Sequence, residues 1–166
     1  YDGQGRKRIE RVYGWTNNAW AKTNETRYVY DGRLAIQERD ASNNPLVTYT
    51  RGLDLSGELQ GAGGIGGLLA RSDHTTTNAS FATAYYHADG NGNVSALINT
   101  NGLLVARYAY DPFGNPLGMW GALADANRCR FSSKEYEPLS GLYYYGFRFY
   151  EPSLQRWLNA DPLGEA

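Results

Sequence analysis

One short sequence unit recurs along this 166-residue chain and limits what it can fold into. In each copy, an alternating run that contains tyrosine or histidine leads to an aspartate, which is followed by glycine or proline. The copies are Tyr1-Asp2-Gly3-Gln4-Gly5-Arg6, Tyr28-Val29-Tyr30-Asp31-Gly32, His87-Ala88-Asp89-Gly90-Asn91-Gly92-Asn93-Val94 and Tyr108-Ala109-Tyr110-Asp111-Pro112-Phe113-Gly114-Asn115. Alternate residues of a strand share one face, and Asp, Asn and Gly favour tight turns. Each unit therefore predicts a strand, a turn and a second strand.

Repetition of such units indicates a repeat architecture, because neighbouring units bury faces that a single hairpin cannot bury alone. We predict an all-β fold in which antiparallel hairpins form a curved strip. The predicted strands lie near Arg8–Tyr13, Ala19–Lys22, Thr26–Tyr30, Leu34–Glu38, Leu46–Thr50, Leu68–Ser72, Ala82–His87, Val94–Ile98, Leu103–Tyr110 and Tyr143–Tyr150.

Two segments interrupt the strand pattern. Leu53 to Gly67 contains a glycine cluster, and Gly118 to Asn127 is the one segment that suits a helical turn or a covering loop. Neither resembles a linker long enough to separate two domains. The aromatic run Tyr143–Tyr150 is expected to be buried on both faces, with Arg148 against a ring or paired with an acidic residue such as Glu135.

Composition excludes several classes of protein. Sixteen basic and 17 acidic residues give a net charge of −1. The sequence therefore lacks the excess of basic residues that is typical of proteins that bind nucleic acids or anionic membranes. No apolar stretch approaches the ~20 residues of a membrane-spanning helix. A single cysteine, Cys129, allows no internal disulfide, and His74 and His87 cannot form a zinc site with it at any usual spacing. We therefore expect no cofactor, no metal, no nucleic acid partner and no membrane span.

Three local motifs have simpler structural interpretations. Gly61–Gly66 fits the glycine pattern of dinucleotide sites, but no helix of useful length follows it, so a close bend is preferred. Asp89–Asn93 resembles the start of a calcium loop, yet Val94 and Thr100 replace the required glycine and acid, which favours a hairpin turn. Ser72–Thr75 contains Ser, Asp and His without the context of a catalytic triad, and is predicted to be a polar loop.

The C-terminal quarter of the chain adds a more specific signal. This part resembles the core segment that ends the shell of Rhs (YD-repeat) proteins, a family that includes polymorphic toxins, the C component of insecticidal toxins, wall-associated proteins and teneurins. The residues that carry the resemblance are Arg130-Phe131-Ser132-Ser133-Lys134-Glu135-Tyr136, Ser140-Gly141-Leu142-Tyr143-Tyr144-Tyr145, Phe147-Arg148-Phe149-Tyr150-Glu151-Pro152 and Arg156-Trp157-Leu158-Asn159-Ala160-Asp161-Pro162-Leu163-Gly164.

The resemblance implies a β-strip that winds into a hollow container. Residues 1–129 would be a strip of YD-repeat hairpins and residues 130–166 the core segment that closes the shell, together one continuous unit of a longer polypeptide. The implied partners are the remainder of the parent chain and an encapsulated C-terminal effector domain, with possible self-association through open strand edges. The implied location is secreted or at the cell surface of a bacterium.

Three functions are compatible with this resemblance. The first is structural, to wall in and cap a compartment that holds a toxin until delivery. The second is an extracellular adhesion or cell-wall module, and the third is part of an aspartyl autoprotease that releases a C-terminal toxin. The sequence that follows residue 166 in the parent distinguishes the first two.

Asp161 and Arg156 are the candidate residues for self-cleavage. The resemblance assigns Asp161, in Asp161-Pro162-Leu163-Gly164, to the catalytic motif and Arg156 to a positioning role. Such chemistry needs two carboxyl groups that share a proton. The family takes its second aspartate from beyond this chain, and Glu165 stands where cleaving members usually carry leucine. We therefore expect Asp161 and Pro162 to make the turn that closes the strip.

Overall fold

The computed structural model describes residues 1–161 and residue 164. Nine antiparallel strands form one sheet in which each strand pairs with the next along the chain, so that β1 and β9 lie at its two ends. They are β1 (Ile9–Thr16), β2 (Ala19–Asp31), β3 (Leu34–Arg39), β4 (Pro45–Arg51), β5 (Leu68–Asp73), β6 (Thr83–Ala88), β7 (Val94–Asn99), β8 (Leu104–Tyr110) and β9 (Pro116–Trp120).

A second antiparallel sheet follows, which we call the C-terminal sheet. Its strands are β10 (Glu135–Glu137), β11 (Leu142–Tyr144), β12 (Phe149–Glu151) and β13 (Arg156–Trp157). A single turn of helix, α1 (Ala79–Ala82), lies between β5 and β6. Among the described residues, no helix has the length and apolar character needed to span a membrane. The predicted all-β fold of antiparallel hairpins is therefore confirmed.

The recurring aspartate forms a hairpin turn. At Asp111 the carboxylate accepts the backbone N–H groups of Phe113 and Asn115 at 2.8 and 2.9 Å, and the side-chain amide of Asn115 at 2.7 Å. The Asp111 carbonyl accepts the N–H of Gly114, which has a φ of +92°. This positive φ explains the glycine, since other residues rarely adopt it. The residues of the recurring sequence unit therefore stabilise its turn by hydrogen bonds to one another.

The same turn recurs along the nine-stranded sheet. The turn begins with an Asp or Asn. The backbone carbonyl of this residue accepts the N–H of the residue three positions later, and its side-chain oxygen accepts N–H groups of residues two or four positions later. Its copies begin at Asp2, Asp40, Asp89, Asn99 and Asp111.

The core lies on one face of the nine-stranded sheet. Alternation along β4 buries Val47 and Tyr49, and β7 contributes Val94 and Leu97, both fully buried. The buried cluster continues through Leu68, Ala84, Val105, Ala106 and Tyr108 and includes Leu123, Ala124 and Cys129 from the segment after β9.

Residues 121–161, which we call the C-terminal region, cover this face. The N–H of Leu123 donates to the carbonyl of Val105, which ties the region to β8. Arg130 is 2% exposed, and its guanidinium donates to the carbonyls of Asn127 and Ala124 at 3.1 and 3.2 Å. The guanidinium carbon of Arg130 also lies 5.6 Å from the ring centre of Tyr108 in β8, so this buried cation links the segment 121–127 to the sheet.

One predicted strand is wrong. Residues 143–150 were expected to form a continuous strand, but β11 and β12 form a hairpin in which Tyr144 pairs with Phe149. Gly146, at a φ of +91°, reverses the chain between them. Phe147 at this reversal is 40% exposed, so the aromatic run is not buried on both faces throughout.

Two further boundaries differ from the prediction. Residues 118–120 belong to strand β9 rather than to the helical turn or loop expected from Gly118 to Asn127, because β9 pairs with β8 from Tyr110 to Arg107. The predicted strands at 19–22 and 26–30 are one strand, β2. A register shift opposite Val12 and Tyr13 absorbs the irregular residues between them.

Candidate functional site

Asp161 lies at the end of the C-terminal sheet, where Arg148 reaches it. The Arg148 guanidinium is 3.1 Å from the Asp161 carboxylate, and both side chains are about one-third exposed. The acidic partner of Arg148 is therefore Asp161 rather than the expected Glu135. The two residues are 13 positions apart, and no repeat in the sequence relates them, so this pair could not be predicted.

An aromatic cluster positions Arg148. Its guanidinium carbon lies 4.0 Å from the ring centre of Trp157, which is the predicted contact with a ring. Trp157 packs edge-on against Tyr145 at 4.9 Å and also contacts Tyr150 at 5.4 Å. The face of Trp157 thus positions the Arg148 guanidinium, and Tyr145 and Tyr150 hold Trp157 in place.

Arg156, the other candidate residue, lies in β13. It pairs in register with Glu151 of β12, and its side chain is exposed. Asn159 continues this edge, since its side chain accepts the N–H of Phe149 at 2.9 Å and donates to the carbonyl of Phe147 at 3.0 Å. Arg148 is therefore the arginine that the structure brings to Asp161.

The motif at Asp161 occurs twice in the chain. Asp111-Pro112-Phe113-Gly114 and Asp161-Pro162-Leu163-Gly164 share the same Asp-Pro-x-Gly pattern. In both, the glycine N–H donates to the aspartate carbonyl, at 3.1 Å for Gly114 and 3.0 Å for Gly164, and both glycines have positive φ. Pro162, Leu163 and Glu165 lie outside the described residues. The backbone closure at Asp161 is thus that of the repeated hairpin turn.

A cluster of charged side chains joins the start of the nine-stranded sheet to the C-terminal region. Arg128 lies 3.0 Å from Glu10 and 3.2 Å from Glu135, and Lys7 lies 2.7 Å from Glu10 and 2.9 Å from Glu135. The Tyr28 hydroxyl donates to Glu135 at 2.7 Å. Because its residues come from three distant segments of the chain, near residue 8, at Tyr28 and near residue 130, no local pattern indicated this cluster.

Burial and charge shift the pKa values in this cluster in opposite directions. Burial opposes the ionised form of Glu10, but hydrogen bonds and charges from Lys7 and Arg128 lower the pKa of Glu10 to about 2. Burial also opposes the ammonium form of Lys7, yet Glu135 and Glu10 raise its pKa. The opposite charges therefore outweigh the cost of desolvation, and the cluster is held as ions.

The glycine-rich segment folds around a buried carboxylate. Asp54 accepts the N–H groups of Ser56, Ala62 and Gly64 at 2.8–2.9 Å, together with the Ser56 hydroxyl at 2.5 Å. Although burial opposes it, these hydrogen bonds lower the pKa of Asp54 to about 2. The N–H groups that could bind a phosphate in a nucleotide loop are thus occupied by the chain itself.

The remaining motifs also form local hydrogen bonds. Asp89 accepts N–H groups from Asn91 and Asn93, as a hairpin turn requires. Asp73 accepts from Thr75, while His74 contacts the Thr48 hydroxyl. Within residues 1–161 and at residue 164, no group of three or more His, Cys, Asp or Glu side chains is arranged to hold a metal ion.

The sequence is similar to toxins and nucleases of bacteria. It is 30% identical over 165 residues to the tRNA3(Ser)-specific nuclease WapA of Bacillus spizizenii, a match that covers 98% of this chain and 6% of the nuclease. It is 39% identical over 71 residues to the toxin subunit YenC2 of Yersinia entomophaga, covering 40% of this chain and 7% of the subunit. The chain thus spans less than a tenth of these relatives. No model of a protein family matches it.

The fold is similar to that of chains in solved toxin structures. A chain in the structure of the Tc holotoxin pore of Photorhabdus luminescens superposes with a TM-score of 0.71 at 22% identity, covering 99% of this chain and 7% of that chain. A second match is to TcdB2-TccC3 without its hypervariable C-terminal region, with a TM-score of 0.68 and 99% of this chain covered. At this identity the likeness concerns the fold, and it extends over both sheets.

Proposed function

The chain belongs to the Rhs/YD-repeat family and is a structural segment of its β-shell, and on that premise we propose that it walls and closes a compartment that holds an effector chain. The enclosed chain would be a C-terminal effector domain of the same parent, and we infer a toxin because the relatives include a nuclease and a toxin subunit.

One observation carries this proposal. The C-terminal region folds back over the same face of the nine-stranded sheet that holds the core, with Arg130 and Tyr143 fully enclosed between them. In this arrangement the nine-stranded sheet would form part of the compartment wall. The C-terminal region, which covers one face of the sheet, would close the end of the compartment. The charged cluster that joins Lys7 to Glu135 also supports a single continuous unit, because two independent modules would not need such a contact between them.

Export from a bacterium is part of the same proposal. The bacterial relatives and the toxin names support a secreted parent. A position on the cell surface would instead suit an adhesion or cell-wall module, for which the parent would carry further repeats or an anchor.

Protease protection in the parent tests the proposal. We expect the domain that follows residue 166 to resist digestion in the intact parent and to become rapidly cleaved in a Tyr143→Ala variant, which loosens the C-terminal region. Trp20→Ala serves as the control, because Trp20 is 67% exposed at the tip of the β1–β2 hairpin. A downstream domain that is digested at the same rate in all three proteins would contradict encapsulation.

The open ends of the sheet support a proposal about self-association. β1 and β9 each have one strand neighbour, and unpaired strand edges favour pairing with another chain. We expect the isolated 166-residue chain to form oligomers or to be poorly soluble. A compact monomer at high concentration by light scattering would contradict this expectation.

Asp161 and Arg156 stay candidates for self-cleavage in the parent. The approach of Arg148 to Asp161 supports the aspartate as a group held in a defined place. The shared turn closure at Asp111 and Asp161 supports a purely structural role instead. We propose the structural role, because the Asp161 motif closes the same backbone turn as the Asp111 motif, which forms a hairpin turn of the nine-stranded sheet.

A further inference from the structure

A cleft lies between the nine-stranded sheet and the C-terminal region, and Asp161 is not among the residues that line it. Its volume is about 210 Å³. Strands β2, β3 and β4 supply one wall, and residues of the segment 129–147 supply the other. Four cationic side chains line it, namely Arg6, Arg33, Arg51 and Lys134.

Three of these cations, Arg33, Arg51 and Lys134, form no salt bridge with an acidic side chain of the described residues. Arg51 donates its Nε–H to the carbonyl of Ala35 at 3.0 Å, and the Lys134 ammonium donates to the carbonyl of Gly63 at 2.6 Å. The guanidinium of Arg33 has its contact with the ring of Phe147, at 5.3 Å. Carbonyls and rings satisfy part of the donor capacity of these groups, and the charge of Asp54 stabilises the Lys134 ammonium in part, but none of the three cations is neutralised by a salt bridge to a described residue.

Arg51 and Lys134 are close to each other. Both approach the same pair of glycines, because a Cβ at Gly63 would lie 3.3 Å from the Lys134 ammonium and one at Gly64 would lie 3.4 Å from Nη1 of Arg51. Burial lowers the pKa of Lys134 to about 8, and the neighbouring charge of Arg51 adds to this effect. Like charges held together at a partly buried place are unfavourable unless an anion compensates them.

The acidic residues of the cleft do not supply that anion. Glu135 is already paired with Lys7 and Arg128. Glu38 accepts the Tyr49 hydroxyl at 2.6 Å, and burial raises the pKa of Glu38, which favours its neutral form. The cleft therefore has an excess of positive charge at neutral pH.

Aromatic rings form much of the remaining surface. Six of the side chains that line the cleft are aromatic: Tyr28, Tyr30, Tyr49, Tyr144, Tyr145 and Phe147. Rings beside cations suit a ligand with a flat apolar part and an anionic end. Pockets for drug-sized ligands occupy roughly 300–1,000 Å³. This cleft is smaller and suits a correspondingly smaller ligand.

We propose that this cleft binds a small molecule that carries a phosphate or carboxylate group on a planar ring. Arg51, Lys134 and Arg33 bind the oxyanion, and the tyrosine rings contact the planar part. The site is independent of any cleavage at Asp161 and of what the parent encloses.

Ligand-observed NMR titration of the 166-residue chain tests the site, at protein concentrations low enough to limit self-association. The probes are phenyl phosphate, benzoate, inorganic phosphate and the neutral benzyl alcohol. We expect phenyl phosphate and benzoate to bind more tightly than inorganic phosphate, and benzyl alcohol to bind most weakly. Benzyl alcohol binding as tightly as phenyl phosphate would overturn the role of the cations. Inorganic phosphate binding as tightly as phenyl phosphate would overturn the role of the rings.

Charge-removing variants assign the binding to the cleft. Arg51→Gln should weaken phenyl phosphate binding about tenfold or more, as expected for a lost hydrogen bond between charged groups. Arg33→Gln should weaken it as well and is expected to fold normally, because the Arg33 side chain is exposed. The matched control is Arg107→Gln, since Arg107 lies 5.8 Å from the ring of Trp120 and outside the cleft. Equal losses in all three variants, or none in the two cleft variants, would overturn the proposal.

Discussion

The nine-stranded sheet and the C-terminal region are stabilised by different kinds of contact. In the sheet, the recurring hairpin turns are closed by hydrogen bonds between residues at most four positions apart, as at Asp89 and Asp111. In the C-terminal region, the important contacts join residues that are far apart along the chain, such as Lys7 with Glu135 and Tyr143 with the carbonyl of Gly114. The sheet can therefore form from local units, whereas the C-terminal region depends on the sheet being present.

The largest expected effect comes from removing a ring in the C-terminal region. Tyr143 is fully buried, contacts Tyr136 and Phe131 at 5.0 and 5.8 Å, and donates its hydroxyl to the carbonyl of Gly114. Tyr143→Ala should lower the free energy of unfolding by about 3–5 kcal/mol, the range for a buried aromatic residue replaced by alanine. Urea denaturation followed by circular dichroism measures this change.

Tyr13→Ala is the matched control in the sheet. Tyr13 lies in β1 and is 50% exposed, so its loss should change the free energy of unfolding by less than about 0.5 kcal/mol. Similar losses in the two variants would mean that the C-terminal region contributes no more than the hairpin edge, which would remove the distinction between the regions.

A second pair of variants separates the local contribution from the long-range one within a single type of turn. Gly92 and Gly102 occupy the same turn position, with φ of +77° and +76°. A Cβ at Gly102 would meet nothing within 4 Å, whereas one at Gly92 would lie 2.5 Å from Ile65 and 2.8 Å from the backbone nitrogen of Gly66. Gly102→Ala should therefore cost about 1–2 kcal/mol for the backbone alone.

Gly92→Ala should cost about 1–3 kcal/mol more, because the glycine-rich loop must move to accommodate the added methyl group. Thermal unfolding of the two variants beside the wild type gives the comparison. Equal shifts in melting temperature would show that the loop at 52–67 does not pack on the turn as closely as in the structure.

The sequence predicted the parts of the fold that local chemistry determines. Turns at Asp40, Asp89 and Asp111 could be predicted because the aspartate, the glycine or asparagine and the alternating strands all lie within one short segment. The long-range contacts could not. Nothing near Arg148 distinguishes Asp161 from Glu135 as its partner, and the reversal at Gly146 within residues 143–150 lacks the aspartate or asparagine that marks the recurring hairpin turns.

Two glutamates with similarly low pKa values test the regions by charge. Hydrogen bonds and nearby charges lower the pKa of both Glu10 and Glu25 to about 2. Glu10 lies between the two regions, while the partners of Glu25 belong to the β1–β2 hairpin and are 38–50% exposed. Glu10→Gln should cost about 1.5–3 kcal/mol, as expected for hydrogen bonds to charged groups. Glu25→Gln should cost less, because water screens its exposed partners.

The same pair predicts a pH dependence. A carboxyl group whose pKa is lower in the folded state stabilises the fold above its unfolded pKa, here about 4.5, and loses that stabilisation as the pH falls toward 2. The free energy of unfolding of the wild type should therefore decrease between about pH 5 and pH 2. The decrease should be smaller in Glu10→Gln than in Glu25→Gln, and the opposite order in urea titrations at each pH would place the stabilising charges in the hairpin.

The smallest effect on stability is expected at Asp161. Its Asp-Pro-x-Gly motif repeats that of Asp111. The turn at Asp111 is covered by the C-terminal region, because the carbonyl of Gly114 accepts the Tyr143 hydroxyl, whereas Asp161 and Arg148 are each about one-third exposed. Exposed ion pairs contribute about 0–1 kcal/mol. Asp161→Asn should therefore lower the melting temperature less than Asp111→Asn.

We also expect the wild-type parent protein to migrate as one species on a denaturing gel, because the Asp161 motif closes the same backbone turn as the structural Asp111 motif. A wild-type parent that is cleaved just after Gly164, and an Asp161→Asn parent that stays whole, would show that the second copy of the motif has a catalytic role that the first copy lacks.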